Sequence, residues 1–149
     1  MSSFLKKILV ATHNKKTSKD AFKYALRLGQ KHDAVIYVLH VVDIGFFEQE
    51  VRYDLVDSFF MTEKQRMDKA KEETEAFIAD NMEPARDAKL EVILKKGKPF
   101  VRIIKTAKEK DADIIVIGAH SRHGIPHSIT HGFMGSVAEK VFRKSHCPV

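Results

Sequence analysis

The sequence predicts an α/β domain: a parallel sheet with helices on both of its faces. Two observations carry the prediction. Short apolar runs rich in β-branched residues alternate along the chain with longer stretches of helical periodicity, the order that builds β-α-β crossovers and hence parallel strands. The second of these runs, "AVIYVLHVVD", is apolar at consecutive positions. A strand covered on both faces reads that way, where a half-solvated strand would alternate.

The elements follow in order. "FLKKILVAT" (Phe4 to Thr12) is rich in β-formers and ends at the polar "HNKKTSK". Thr17 or Ser18 then offers a hydroxyl to cap a helix, with Asp20 three residues after Thr17. Ala21, Phe22, Ala25, Leu26 and Gly29 fall on one face of that helix. After the second strand, the chain from Ile44 opens with a loop holding "GFFEQE". It then passes into a long helix in which Met67, Ala70, Thr74, Phe77, Ile78 and Met82 recur at helical spacing. "LEVILKK" is a third strand. Gly97 and Pro99 mark the next turn, and Pro99 suits the first position of a helix, where a missing N–H costs nothing. Phe100, Ile103, Ile104 and Ala107 form the inner face of that helix. "ADIIVIG" is a fourth strand, and a last helix runs from about Ser136 to Lys144. In open parallel sheets ligands lie beyond the carboxyl ends of the strands, where the strand order reverses. Two loops therefore matter most: "THNKKTS" after the first strand and "GAHSRHGIPHSITHGFMGS" after the fourth.

At 149 residues the chain is expected to form one domain over residues 1–149, with a sizeable core. Its 44% hydrophobic and 31% charged residues are ordinary for a soluble globular chain. No apolar run approaches the roughly 18 residues of a membrane span, and "MSSFLKKILVATHNKK" reads as the start of a strand, not as a signal peptide. A single cysteine, Cys147, allows no intrachain disulfide and fits a reducing compartment, so the expected location is the cytoplasm. The net charge of +6 and the pI of about 9.4 raise nucleic acid as a partner. The lysines are nevertheless spread along the chain, often beside Glu or Asp, and no aromatic residues interleave with a basic stripe. Solvated helix faces account for the charge, and neither nucleic acid nor a membrane is the expected partner.

Three segments, "KKILVAT...TSKDAFKYALRLGQKHDAVIYVLHVV", "KKGKPFVRIIKTAKEKDADIIVIGAHS" and "GSVAEKVFRKSHCPV", together resemble the universal stress protein family over nearly the whole chain. "DADIIVIG" followed by "GSVAEKV" and "CPV" is the specific part. The resemblance implies a Rossmann-like domain with sheet order 3-2-1-4-5. Members continue past "CPV" into the fifth strand, which is thus expected to be absent or truncated here. It also implies a homodimer and a small stress-response module. Such a module acts by binding and association, with an unknown protein partner, and not by turnover. Some members bind ATP or a related adenine nucleotide, and others bind none.

Nucleotide-binding members carry a motif of Gly, two residues, Gly, nine residues, then Gly with Ser or Thr. Glycines let backbone amides approach phosphates, and a helix N-terminus supplies unpaired N–H groups and a positive dipole end. Carried onto this sequence, the first glycine is Gly118, and the final pair is Gly135 and Ser136, followed by Val137. Ser121 stands at the second glycine, with thirteen residues between it and Gly135 instead of nine, and Pro126 within the loop has no N–H to offer. Gly124 and Gly132 offer a glycine-lined cradle in another register. After Ala11 and Thr12, His13 stands where binding members typically place an Asp that accepts hydrogen bonds from the nucleoside; a neutral imidazole can accept one. Val41 matches the position where the family packs its base, and Ile117 ends the fourth strand. Arg122, Lys15 and Lys16 can neutralise phosphates, or can stand as solvated loop cations.

His120, His123, His127 and His131 recur at spacings of three, four and four. On a continuous helix they would line one face suited to zinc, nickel or copper. Gly124 and Pro126 argue against such a helix, and the loop supplies neither Cys nor carboxylate. A polar, histidine-rich loop is the plainer reading, and a metal-responsive binding module is the alternative. His40, inside a strand, reads as a satisfied core histidine, and Cys147 as a buried small residue. No catalytic residue is identified. There is no nucleophile–base–orienter set, no "GxxxxGK(S/T)" loop and no "GxGxxG" fingerprint. Slow ATP hydrolysis is the most that an enzyme reading can claim.

Overall fold

The computed structural model describes residues 4–13, 18–42, 62–83, 85–118 and 135–149. Strands and helices alternate: β1 (Lys7–Thr12), α1 (Lys19–His32), β2 (Val35–Val42), α2 (Glu63–Asp80), β3 (Lys89–Lys96), α3 (Pro99–Glu109), β4 (Ile114–Val116) and α4 (Ser136–Lys144). The four strands make one parallel sheet ordered β3-β2-β1-β4. This is the 3-2-1-4 order that the resemblance implied.

Side-chain alternation along the strands separates two apolar layers. Ile8 and Val10 of β1 and Ile36 and Val38 of β2 pack with Phe22 and Leu26 of α1 and Phe77 of α2. Leu9, Ala11, Tyr37 and Leu39 face the opposite way, onto Ile103 and Ala107 of α3 and Val141 of α4. Helices thus cover both faces. That is why the continuous apolar run of β2 is needed: Ile36 to Leu39 are all buried.

On α1 the buried face is Phe22, Ala25, Leu26 and Gly29, with Ala21 half-exposed at its border. Gly29 lies against β2 so closely that a Cβ there would sit 2.5 Å from Ile36 Cδ1. Asp33, at φ 53°, ends the helix in the left-handed conformation, and its N–H bonds the Gly29 carbonyl. The helix α2 opens with a capping box between Thr62 and Gln65, with bonds of 3.1 and 2.9 Å. Ala70, Thr74 and Phe77 are its buried residues, and the Thr74 hydroxyl donates to the Ala70 carbonyl at 2.7 Å. Phe77 meets Phe22 edge-on, with ring centroids 5.4 Å apart, so α1 and α2 are joined by an aromatic contact.

Pro99 occupies the first turn of α3, as expected. Its buried residues are Ile103, Thr106 and Ala107, while Phe100 and Ile104 are half-buried. The start of β4 is tied to β1 by Asp113, whose Oδ2 accepts from the amides of Lys6 and Lys7 at 2.8 and 2.9 Å. On the far side of β4, the Ile115 amide donates to the Pro148 carbonyl at 2.9 Å. A single backbone bond thus ties the C-terminal peptide to β4.

Candidate functional site

The strand order reverses between β1 and β4: β2 and β3 lie to one side of β1, and the chain then crosses to place β4 on the other. Because all four strands are parallel, their carboxyl ends share one rim. The β1 strand reaches it through Thr12 and His13, β2 through Val41, and β4 through Ile117 and Gly118. The N-terminus of α4, at Gly135, Ser136 and Val137, follows the connection that leaves this rim.

Ala11, Val41, Ile117 and Val137 belong to a single apolar cluster, together with Leu39 and Phe100. Ala11 is buried, and the other three of these site residues are half-buried, as befits side chains at the margin of a core. Gly118 and Gly135 are half-buried, Thr12 is buried, and His13 and Ser136 are exposed.

Gly135 is the N-cap of α4, at φ −58° and ψ 152°. Its carbonyl accepts the Glu139 amide at 3.0 Å and so starts the helix. The amides of Ser136, Val137 and Ala138 have no partner within the helix itself, and a glycine cap brings no side chain to cover them. A helix opening of this form presents amides and the positive dipole end to an anion.

Two further side chains shape the rim. Ser18 stands at the N-cap of α1 but makes no side-chain cap bond. Its buried hydroxyl accepts the His13 amide at 3.1 Å and joins the end of β1 to the start of α1, so of the two expected caps Ser18 does not serve the helix, and Thr17 lies outside the described residues. His40 is half-buried, with Nδ1 2.9 Å from the Thr12 carbonyl oxygen; it is satisfied, as expected, and lies nearer the surface than a core residue. Neither contact was read from the sequence. The available signals were a hydroxyl at a helix start and a histidine opposite Thr12 in an apolar strand.

Ser121, Arg122 and Gly132 lie outside the described residues, as do His120, His123, His127, His131, Lys15 and Lys16. Among the described residues no group of three His, Cys, Asp or Glu is placed to hold a metal ion. Cys147 is half-buried, not buried, with Sγ 3.5 Å from Ser145 Oγ.

A 3-2-1-4 parallel sheet covered on both faces, with a glycine-capped helix opening after the strand-order reversal, defines a doubly wound α/β fold. The model of the universal stress protein family matches residues 5–149, and the chain belongs to that family. It is 30% identical over 148 residues to universal stress protein MJ0531 of Methanocaldococcus jannaschii, covering 97% of this chain and 79% of that protein. It is 27% identical to MJ0577 of the same organism, whose structure superposes with a TM-score of 0.73 over 99% of this chain and 94% of that one. The universal stress protein from Archaeoglobus fulgidus in complex with dAMP shares the fold at 21% identity. Its TM-score is 0.61 over 100% of this chain and 97% of that one. No helix among the described residues is long and apolar enough to cross a membrane.

Proposed function

We propose that this universal stress protein works as a cytoplasmic, homodimeric binding module whose small-molecule ligand is an adenine nucleotide, ATP or a close relative. The observation that carries the reading is the glycine-capped opening of α4, on the element that also contributes Val137 to the apolar cluster of Ala11, Val41 and Ile117. A nucleotide has two such halves, an apolar base and an anionic tail. In this reading the base rests on Val41, Ala11 and Ile117, and the nucleoside meets Thr12 and His13. The phosphates meet the backbone at Gly118, Ser121, Gly132, Gly135, Ser136 and Val137, with Arg122 as counter-charge. Support also comes from the relative of the same fold held in complex with dAMP. These residues include no carboxylate to hold Mg²⁺ or to act as a general base, so binding and association, not turnover, are the proposed mode of action.

The test is thermal unfolding with and without ATP, combined with mass spectrometry of small molecules released from the purified protein. At a hundredfold excess over Kd, binding stabilises by about 2.7 kcal/mol, or about 5–10 °C for a chain of this size. Gly135→Val should abolish the rise while lowering the unliganded melting temperature by no more than about 4 °C, the cost of a poorer N-cap at a φ of −58° that valine can adopt. No co-purified nucleotide and no rise in the wild type would overturn the reading.

A further inference from the structure

The lysines that look dispersed in the sequence are gathered by the fold. The helices α3 and α4 pack side by side on one face of the sheet and together carry six basic residues against two acidic ones. On the opposite face α1 and α2 carry eight against seven. The net positive charge of the helical layers therefore lies mostly on one side of the molecule.

That side has a definite make-up. Val101, Lys105 and Lys108 recur at i, i+4 and i+7 along α3, and all three are exposed. Beside them, the ammonium groups of Lys140 and Lys144 lie over one ring, that of Phe100, at 4.9 and 5.8 Å from its centroid. Both are held by the π-face and not by a carboxylate. Among the described residues, no ion pair involves Lys105, Lys108, Lys140 or Lys144; Arg143 is the one basic residue of the layer in an ion pair, with Glu139 at 2.9 Å. Two large apolar side chains stand exposed in the same layer: Val101 at 43% and Phe142 at 61%.

We infer that the α3–α4 face is a docking surface for an anionic lipid bilayer. Lysines act as point charges toward a diffuse negative surface, at about 1 kcal/mol each in water-facing contact with anionic headgroups. Exposed Val101, in line with Lys105 and Lys108 on α3, is an apolar group that can enter the headgroup boundary. The same face is poorly equipped for nucleic acid. The Phe100 ring that could stack a base is covered by two lysines, and Arg143, one of the two arginines of the layer, is paired with Glu139. This surface is independent of the nucleotide reading.

The test is co-sedimentation of the full chain with vesicles of phosphatidylcholine containing about one-third phosphatidylglycerol, at about 0.1 M salt. The wild type should bind these vesicles, should not bind pure phosphatidylcholine, and should be released as salt rises. The triple variant Lys105→Gln, Lys108→Gln, Lys140→Gln should lower the partition coefficient on the order of a hundredfold, and Lys108→Gln alone about fivefold. The control triple variant Lys19→Gln, Arg27→Gln, Lys31→Gln loses the same net charge from α1 and should stay within about threefold of the wild type. Equal losses in the two triple variants, no vesicle binding by the wild type, or displacement from vesicles by single-stranded RNA would each overturn the inference.

Discussion

The Nδ1 of His40 lies 2.9 Å from the carbonyl oxygen of Thr12, linking the middle of the sheet to the last residue of β1. A carbonyl only accepts, so Nδ1 is the donor of this bond. This bond and the Ser18 contact to His13 hold the two sides of the β1–α1 turn, one from the neighbouring strand and one from the following helix.

His40→Leu keeps the bulk of the ring and removes the donor. Stability should fall by about 1 kcal/mol, read as a lower urea midpoint with an unchanged m-value. An unaltered midpoint would mean that water replaces the imidazole at no cost.

Ser18→Ala should cost a similar amount, about 1 kcal/mol, but its location distinguishes it from loss of a cap. Hydrogen exchange should accelerate at the His13 amide and stay unchanged in the first turn of α1, because the hydroxyl serves the turn and not the helix. Faster exchange in the helix alone would contradict this.

Gly29→Ala pits two effects against each other. Alanine favours a helix over glycine by about 1 kcal/mol, yet its Cβ would sit 2.5 and 2.8 Å from two atoms of the fully buried Ile36. Overpacking costs about 1–3 kcal/mol, so the variant should be net destabilised in chemical denaturation. Adding Ile36→Val removes the closer atom, Cδ1, and the double variant should lose less than the two single variants summed.

Asp113→Ala removes one carboxylate oxygen that serves the amides of both Lys6 and Lys7. A loss of about 2 kcal/mol is expected. Asp113→Asn keeps an acceptor with two lone pairs and should recover most of it. If both variants lose equally, the charge and not the bonding geometry holds the strand start.

The alternation of elements and the burial of β2 were legible in the sequence, because both follow from apolar periodicity and from the crossover rule, whereas the strand order came only with the family resemblance. The bounds of α4, Ser136 to Lys144, were legible too, since glycine and a charged last turn flank its apolar positions. What escaped was competition between partners. The Ser18 hydroxyl could serve the helix or the turn, and only the placement of the His13 amide decides which. Thr62 and Gln65 form a full capping box that went unread, although Gln stands three residues after Thr in the sequence. Phe100 packs against the core as its inner-face position implied, but the two lysines over its ring come from a helix that begins thirty-six residues later, which no local pattern reveals. The apolar half of the candidate site, Ala11, Val41, Ile117 and Val137, was named from a resemblance and brought together only by the fold.

The bond from Ile115 to Pro148 bears on how this protein behaves when concentrated. An unprotected sheet margin is a template on which further strands can stack. On the β4 side that amide is already engaged by the chain's own C-terminal peptide. On the β3 side an incoming strand would meet Lys89, Glu91 and Lys96, each in an ion pair, to Asp33, Lys110 and Glu63. Among the described residues one margin thus has a backbone amide engaged and the other a row of paired charges, and both features oppose the addition of a further strand.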